Sequence, residues 1–160
     1  MFNIVVIVLA LFIDQFSKLI ITSYSIDSFP KYIISDFLKF TYITNDGIAF
    51  GLNPFGDYRI ILLFISIIAV LFVIKIFLDS KGVSKLTEFG LSLIIGGALG
   101  NLIDRFLTYF NLMDYHGVID FIDIGIGDYR FYIFNFADFF ISLGIILYLI
   151  SFLQSKHANE

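Results

Sequence analysis

Two aspartates in the second half of the chain could carry acid–base chemistry together. Asp120 lies in the stretch Gly117-Val-Ile-Asp-Phe-Ile-Asp123, and Asp138 lies in the first turn of an apolar segment that starts near Asn135. Because the loop with Asp120 must return to the start of that segment, we expect both carboxyl groups at one end of it. When two carboxyl groups share one proton, one ionises easily and the other stays protonated. Such a pair provides a general base that activates water and a general acid that assists a departing amine, as in an aspartic peptidase.

A simpler role for the residues at the start of this segment stays open. Asparagine is a favoured N-cap residue, so Asn135 can begin a helix there. An aspartate three positions later, Asp138, can reach back to the same helix end in the manner of a capping box. Helix capping and an aspartate pair are therefore both compatible with the sequence.

Other catalytic chemistries have little support in the composition. The chain has no cysteine and only two histidines, His116 and His157. This excludes thiol nucleophiles, thiolate metal sites and histidine-rich metal clusters, and the H-E-x-x-H zinc motif is absent. We accordingly expect a reaction that uses no metal and no cofactor. The net charge is −4 and there is no basic tract, which argues against nucleic acid as a partner.

Two charged residues, Asp14 and Lys18, lie inside the first apolar segment. They are four positions apart, so they share one face of a helix and can pair. A charge at the centre of a membrane helix costs about 2.5–3.5 kcal/mol on insertion scales, and pairing relieves much of that cost. The pair is either a structural ion pair that orients the helix or a brace for a polar site near the helix end.

The third apolar segment carries small and polar residues at a spacing of four. Gly97, Asn101 and Arg105 are each four positions apart and form one stripe. Gly96 and Gly100 have the G-x-x-x-G spacing, which lets another helix approach closely. Since Asn101 and Arg105 lie beside these glycines, we expect packing within the same chain around a polar centre rather than a homodimer interface.

Composition and hydropathy indicate that a membrane positions these residues. Of the 160 residues, 59% are apolar and only 15% are charged, whereas soluble domains carry about 25% charged residues. A helix of about 20 apolar residues can cross the hydrocarbon core, and four such segments are present. We therefore predict an all-α integral membrane protein in which residues 1–160 form a single domain. The predicted transmembrane helices span approximately 2–22, 58–78, 86–107 and 135–153.

The connections between these helices indicate the orientation in the membrane. Residues 23–57 and 108–134 are long connections, whereas 79–85 is a short turn with several lysines nearby. By the positive-inside pattern, the short turn and both termini are expected in the cytoplasm. Both long connections, and with them the two aspartates, are then expected near the extracytoplasmic face.

The first long connection has the pattern of a strand. Polar and apolar residues alternate over Lys39-Phe-Thr-Tyr-Ile-Thr-Asn45, as expected for a strand that is buried on one face. A similar short stretch, 117–123, lies in the second long connection. We predict a small extracytoplasmic β-like substructure, with its main strand in the first long loop.

Five short motifs together suggest a family. In chain order they are Asp14-Gln-Phe-Ser-Lys18, Asn45-Asp-Gly-Ile-Ala-Phe50, Gly97-Ala-Leu-Gly-Asn-Leu-Ile-Asp-Arg105, Val118-Ile-Asp-Phe121 and Asn135-Phe-Ala-Asp138. With these motifs and four spans, the chain resembles the lipoprotein signal peptidases, the bacterial signal peptidase II family of membrane aspartic proteases. The resemblance covers nearly the whole chain. One departure is Ile48, where the family usually has a small residue; another aspartate, Asp123, is a rival to Asp120.

The resemblance implies roles for these residues and a reaction. Asp120 and Asp138 would be the catalytic pair. Supporting or substrate-binding roles are implied for Asp14, Lys18, Asn45, Gly97, Asn101, Arg105, Asn135 and Ala137. Family members remove the signal peptide from a prolipoprotein by cutting just before its diacylglyceryl-modified cysteine. The implied partners are lipidated prolipoprotein signal peptides and membrane lipid, the implied location is the bacterial cytoplasmic (inner) membrane, and the chain is expected to act as a monomer.

Two other function classes remain as alternatives. A small polytopic channel or proton-coupled carrier could use the intramembrane charged residues as a polar pathway, but it would need charges spread through the depth of the membrane. A non-catalytic assembly protein could pack through the G-x-x-x-G glycines. Neither alternative explains why Asp120 and Asp138 should both be present.

Overall fold

The computed structural model describes residues 1–45 and 58–157, the last three of these by their backbone alone. Residues 46–50 of the second motif, with the departure at Ile48, lie outside the described residues. Within the described residues, four helices are long and apolar enough to cross a membrane. They are α1 (Phe2–Thr22), α2 (Tyr58–Asp79), α3 (Lys85–Tyr109) and α4 (Phe136–His157). The predicted four-helix architecture is confirmed.

The helix boundaries differ little from the prediction, except at the end of α4. This helix continues to His157 instead of ending near Leu153. The prediction stopped where the apolar run stops, but no glycine or proline follows Leu153 to break the helix. At the same end of the bundle, Ser84 caps α3, because its hydroxyl accepts hydrogen bonds from the backbone N–H groups of Leu86 and Thr87.

Helix α3 is the centre of the bundle and the most buried of the four spans. The helices α1, α2 and α4 all pack on it. Glycines make two of these contacts close. A Cβ atom built on Gly96 would lie 2.7 Å from the Cβ of Ala10 in α1, and one built on Gly90 would lie 2.8 Å from the carbonyl oxygen of Gly144 in α4. The glycines of α3 therefore pack against helices of the same chain, as predicted.

A four-stranded antiparallel sheet lies at the end of the bundle where α1 and α3 end and α4 begins. Its strands, in the spatial order β1-β2-β3-β4, are β1 (Lys31–Ile34), β2 (Leu38–Asn45), β3 (Val118–Ile126) and β4 (Tyr129–Arg130). The predicted β-like substructure is confirmed, and it is larger than expected because the second long connection supplies half of its strands.

The sheet is attached to the bundle by an apolar cluster and by backbone pairing. Ile119 and Phe121 of β3 form a buried cluster with Ile21 at the end of α1. Backbone hydrogen bonds join Ile122 to Phe134, just before α4 begins, in both directions, at 2.8 and 3.1 Å. This pairing brings the central strand beside the first turn of α4, so the aspartate on β3 lies next to the aspartate on α4.

Candidate active site

Asp120 lies on β3, buried, with only 4% of its surface exposed. Its two carboxylate oxygens accept hydrogen bonds from two different asparagines. The amide of Asn135 donates at 2.7 Å, and the amide of Asn45, at the end of β2, donates at 3.1 Å. The register of the sheet accounts for the second bond, because Ile43 and Asp120 are paired positions on β2 and β3.

Asp138 lies in the first turn of α4 and forms the reciprocal cap that the sequence indicated. Its backbone N–H donates to the side-chain oxygen of Asn135 at 3.0 Å. The backbone N–H of Asn135 donates to the Asp138 carboxylate at 3.3 Å. The other carboxylate oxygen accepts a bond of 2.9 Å from the amide of Asn101 on α3. Capping therefore uses only one oxygen of the Asp138 carboxylate, and the other oxygen is bound to Asn101.

Asn135 joins the two carboxylates. Its side chain contacts Asp120 and the backbone of Asp138, and its amide also donates to the side-chain oxygen of Asn101 at 3.2 Å. The residue is fully buried, so its orientation is fixed by these bonds. The structure thus brings Asp120 and Asp138 to the same site, with one asparagine between them.

The surroundings of Asp120 favour its protonated form. The pKa of this carboxyl group is raised from its ordinary value of 3.8 to about 6, mainly by burial and also by the charge of Asp138, while the Asn45 hydrogen bond, Lys18 and Asn135 act in the opposite direction. A carboxyl group with a pKa near neutrality can exist in either protonation state at physiological pH. This is the property that a shared catalytic proton requires.

A buried ion cluster lies beneath the two aspartates. The Lys18 ammonium group is 2.8 Å from the Asp14 carboxylate and 2.8 Å from the Asp104 carboxylate, and all three side chains are fully buried. The pairing of Asp14 with Lys18 is confirmed. Asp104 is a member that the sequence reasoning did not select, although it follows Asn101 by three positions and therefore shares a helix face with it.

This ion cluster also determines how the Asn101 amide is oriented. Lys18 donates to the Asn101 side-chain oxygen at 3.1 Å, and Asn135 donates to the same oxygen. Because two donors face the oxygen, the NH₂ group must point the other way, towards Asp138. The charge on α1 thus fixes a hydrogen bond to the aspartate on α4 through a residue on α3.

The other expected site residues hold α1, α3 and α4 in contact. The backbone N–H of Ala137 donates to the Asp14 carboxylate at 2.9 Å, so α1 caps the start of α4. A Cβ atom on Gly97 would lie 2.5 Å from the carbonyl oxygen of Ala137. A Cβ on Gly100 would contact the carboxylate of Asp14. Only glycine allows these two approaches, which set the spacing of the helices around the aspartates.

Arg105 lies beside the aspartates and contacts α2. It is half-buried and within electrostatic range of Asp138, Asp104 and Asp120. Its guanidinium group donates to the hydroxyl of Ser66 at 2.6 Å. The sequence reasoning did not select Ser66, because its partner becomes apparent only when α2 is packed on α3.

The rival aspartate, Asp123, belongs to a different cluster. The Arg130 guanidinium group donates to its carboxylate at 2.6 Å. The Lys39 ammonium group lies 3.8 Å away, and the hydroxyl of Thr41 donates at 3.3 Å. The charge of Asp123 is therefore compensated by Arg130 and Lys39, on β4 and β2, and this residue links the strands of the sheet.

An apolar cavity of about 210 Å³ opens onto the half-buried Asp138. Its lining is mostly aromatic and comes from the segment before α4 and from the first two turns of α4: Phe131, Tyr132, Phe134, Asp138, Phe139 and Ser142. An apolar chain could lie in this cavity with one of its peptide bonds next to a carboxyl group.

Comparison with known proteins shows a consistent similarity. The family profile described as signal peptidase (SPase) II matches residues 6–154. The lipoprotein signal peptidase of Clostridium tetani is 40% identical over 150 residues, which are 92% of this chain and 90% of that protein. The one from Staphylococcus haemolyticus is 35% identical over 162 residues, covering 99% and 94% of the two chains. A solved structure described as a bacterial membrane enzyme has a TM-score of 0.81 and 33% sequence identity, covering 99% of this chain and 91% of that one.

Proposed function

The chain belongs to the signal peptidase II family, and we propose that within it the chain works as an aspartic endopeptidase with Asp120 and Asp138 as its catalytic pair. Its reaction is the removal of the signal peptide from prolipoproteins, with cleavage before the diacylglyceryl-modified cysteine. The observation that carries the aspartic assignment is the bridge made by Asn135, which contacts both aspartates in a buried site.

The chemistry follows from one proton held by the pair. The ionised carboxylate takes a proton from water as the water oxygen adds to the carbonyl carbon of the peptide bond. The protonated carboxyl group gives its proton to the carbonyl oxygen, which leaves a gem-diol and a new carboxylate. The other carboxyl group, which now carries the proton taken from water, passes that proton to the departing amine, and the new carboxylate takes a proton back from the gem-diol. The C–N bond then breaks, and one water has been consumed for each bond cut. The pKa of Asp120, about 6, suits this exchange.

The supporting residues hold the two aspartates in a fixed orientation. Asn101 and Asn135 donate to its oxygens, and the cluster of Lys18 with Asp14 orients Asn101 from below. Buried hydrogen bonds of this kind are costly to break, so they hold the two carboxyl groups in one orientation before and during the reaction. Gly97 and Ala137 act through the close packing of α3 on α4.

The aromatic cavity beside Asp138 suits the substrate. A signal peptide is an apolar segment, and the lining of Phe131, Tyr132, Phe134 and Phe139 can bury it. The buried charged residues of α1 and α3, which are Asp14, Lys18 and Asp104, lie towards the end of the bundle that carries the sheet. This distribution fits cleavage at a membrane boundary, and it does not favour the channel or carrier alternative.

The chain is a multi-pass bacterial membrane protein, and we propose its orientation and state. Lys75, Lys81 and Lys85 near the α2–α3 turn favour a cytoplasmic location for that turn and for both termini. The sheet and the two aspartates then lie near the extracytoplasmic face, where a lipidated cysteine at the outer leaflet can reach them. We propose a single membrane domain that acts as a monomer, because the G-x-x-x-G glycines are already used within the chain.

The substrate assignment is tested with purified protein and two forms of one precursor. A diacylglyceryl-modified prolipoprotein should be cut once, just before the modified cysteine, as read from the product masses. The same precursor without lipid should be cut far more slowly. Equal rates for both forms would contradict the assigned substrate, and a cut at another position would contradict the assigned reaction.

A further inference from the structure

Helix α2 has one polar residue in the middle of its apolar sequence. From Ile60 to Ile74 every residue is apolar except Ser66. The buried residues of α2 are Leu63, Ser66 and Val70, which are spaced three and four apart and form the stripe that packs on α3. Ser66 therefore occupies the centre of the α2–α3 contact, where a small apolar residue would suffice for packing alone.

The two hydrogen bonds of Ser66 have different partners. Its hydroxyl proton is donated to the backbone carbonyl of Leu62, one turn earlier, at 2.6 Å. Its oxygen accepts the guanidinium N–H of Arg105 at 2.6 Å. Because the hydroxyl proton is used within α2, the oxygen lone pairs are oriented towards α3. Ser66 thus offers Arg105 a fixed acceptor from a helix that carries no catalytic residue.

The position of the Arg105 guanidinium group matters for the pair. An arginine side chain is long and has many rotamers, so its charge stays in one place only if acceptors hold it there. Besides Arg105, the charged groups around the aspartate pair are Asp104 on α3 and Asp14 and Lys18 on α1. Arg59, at the start of α2, lines a small cavity together with Arg105. Arg105 is within electrostatic range of both members of the pair.

We propose that Ser66 is a positioning residue of the active site, which holds the Arg105 guanidinium group beside the two aspartates. This inference rests on the proposed function. One N–H is bound to Ser66, which fixes the guanidinium group within electrostatic range of the two aspartates. There the positive charge stabilises the negative charge that develops on the carbonyl oxygen as water adds, and it lowers the affinity of the aspartate pair for its shared proton.

Replacement of Ser66 by alanine separates this role from packing. Ser66→Ala should insert normally, because it removes a hydroxyl group from an apolar helix. We expect kcat for the lipidated precursor to fall about tenfold or more, the cost of losing a hydrogen bond to a charged group, with KM changed less than about threefold. The alkaline limb of the pH profile should move to higher pH, since the pair keeps its proton longer when the cation is displaced. Ser66→Thr retains the hydroxyl group and should restore most of the activity.

A matched control exists in α3. Ser92 is also a buried helical serine, and its hydroxyl donates to the carbonyl of Glu88, one turn earlier, at 2.7 Å. Ser92→Ala should keep kcat and the pH profile. In an Arg105→Met background, Ser66→Ala should cause little further loss, because both changes remove the same interaction.

The result that would overturn the proposal is a Ser66→Ala variant with the kcat and pH profile of the unmodified protein. A full additional loss in the Arg105→Met background would equally overturn it, since Ser66 would then act through something other than Arg105. Neither result bears on the aspartic assignment, which fails only if an aspartate-to-asparagine variant keeps its activity.

Discussion

Replacement of Asn101 by leucine isolates the hydrogen bonds that orient the aspartate pair. The side chain of Asn101 accepts from Lys18 and Asn135 and donates to the Asp138 carboxylate at 2.9 Å. Leucine keeps the approximate volume and the helix propensity but has no polar atoms. The lost bond to an ionised carboxylate is worth about 1.5–3 kcal/mol, so kcat should fall about 10- to 100-fold.

The assay is single-turnover cleavage of the lipidated precursor, with the amount of folded, inserted protein measured alongside. Leu99→Ala is the control. Leu99 points about 160° away from Asn101 at ~100° per residue, and it is half-buried. Its truncation should have a mild effect on turnover through packing or lipid contact. If Leu99→Ala abolished cleavage while Asn101→Leu left it intact, the stripe on α3 would not face the site, and the reasoning would be refuted.

Three further predictions concern orientation, stability and pH. Reporter fusions at Ser80 should report the cytoplasm and fusions in either long connection the exterior; the reverse pattern would contradict the orientation. Asp104→Asn leaves buried Lys18 with one carboxylate fewer and should lower the free energy of unfolding by about 3–5 kcal/mol. The control, Asp79→Asn, removes one partner of an exposed ion pair and should leave the Tm unchanged. Equal Tm values for the two variants would contradict the role of the ion cluster. The alkaline limb of the pH dependence of kcat/KM should reflect the Asp120 pKa of about 6. Asn45→Ala removes a hydrogen bond that lowers this pKa, so this variant should move the limb to higher pH, and a move to lower pH would contradict the assignment.

The sequence predicts those features that depend on spacing along one helix. The pairing of Asp14 with Lys18 follows from their four-residue separation, and the structure contains it. The reciprocal cap between Asn135 and Asp138 is likewise a local pattern. The four spans follow from the length of their apolar runs. In each case the residues that decide the feature lie within one helix.

Contacts between helices could not be predicted in the same way. Asp104 completes the cluster with Lys18 from a helix far away in sequence, and only the rotation of α1 against α3 determines that contact. Ser66 is a stronger example. Because α2 is apolar on all sides, its sequence does not indicate which face packs on α3, so the partner of Ser66 could not be inferred.

The catalytic roles of Asp120 and Asp138 are the central claim, and asparagine replacement tests them most directly. Asp120→Asn and Asp138→Asn keep the shape of the side chain and one of the two hydrogen bonds that each carboxylate accepts, but an amide cannot exchange the required proton. Both variants should fold and still bind the lipidated precursor, while single-turnover cleavage slows by about 10²–10⁴-fold or more. Near-normal turnover by either variant would remove that residue from the pair and contradict the account.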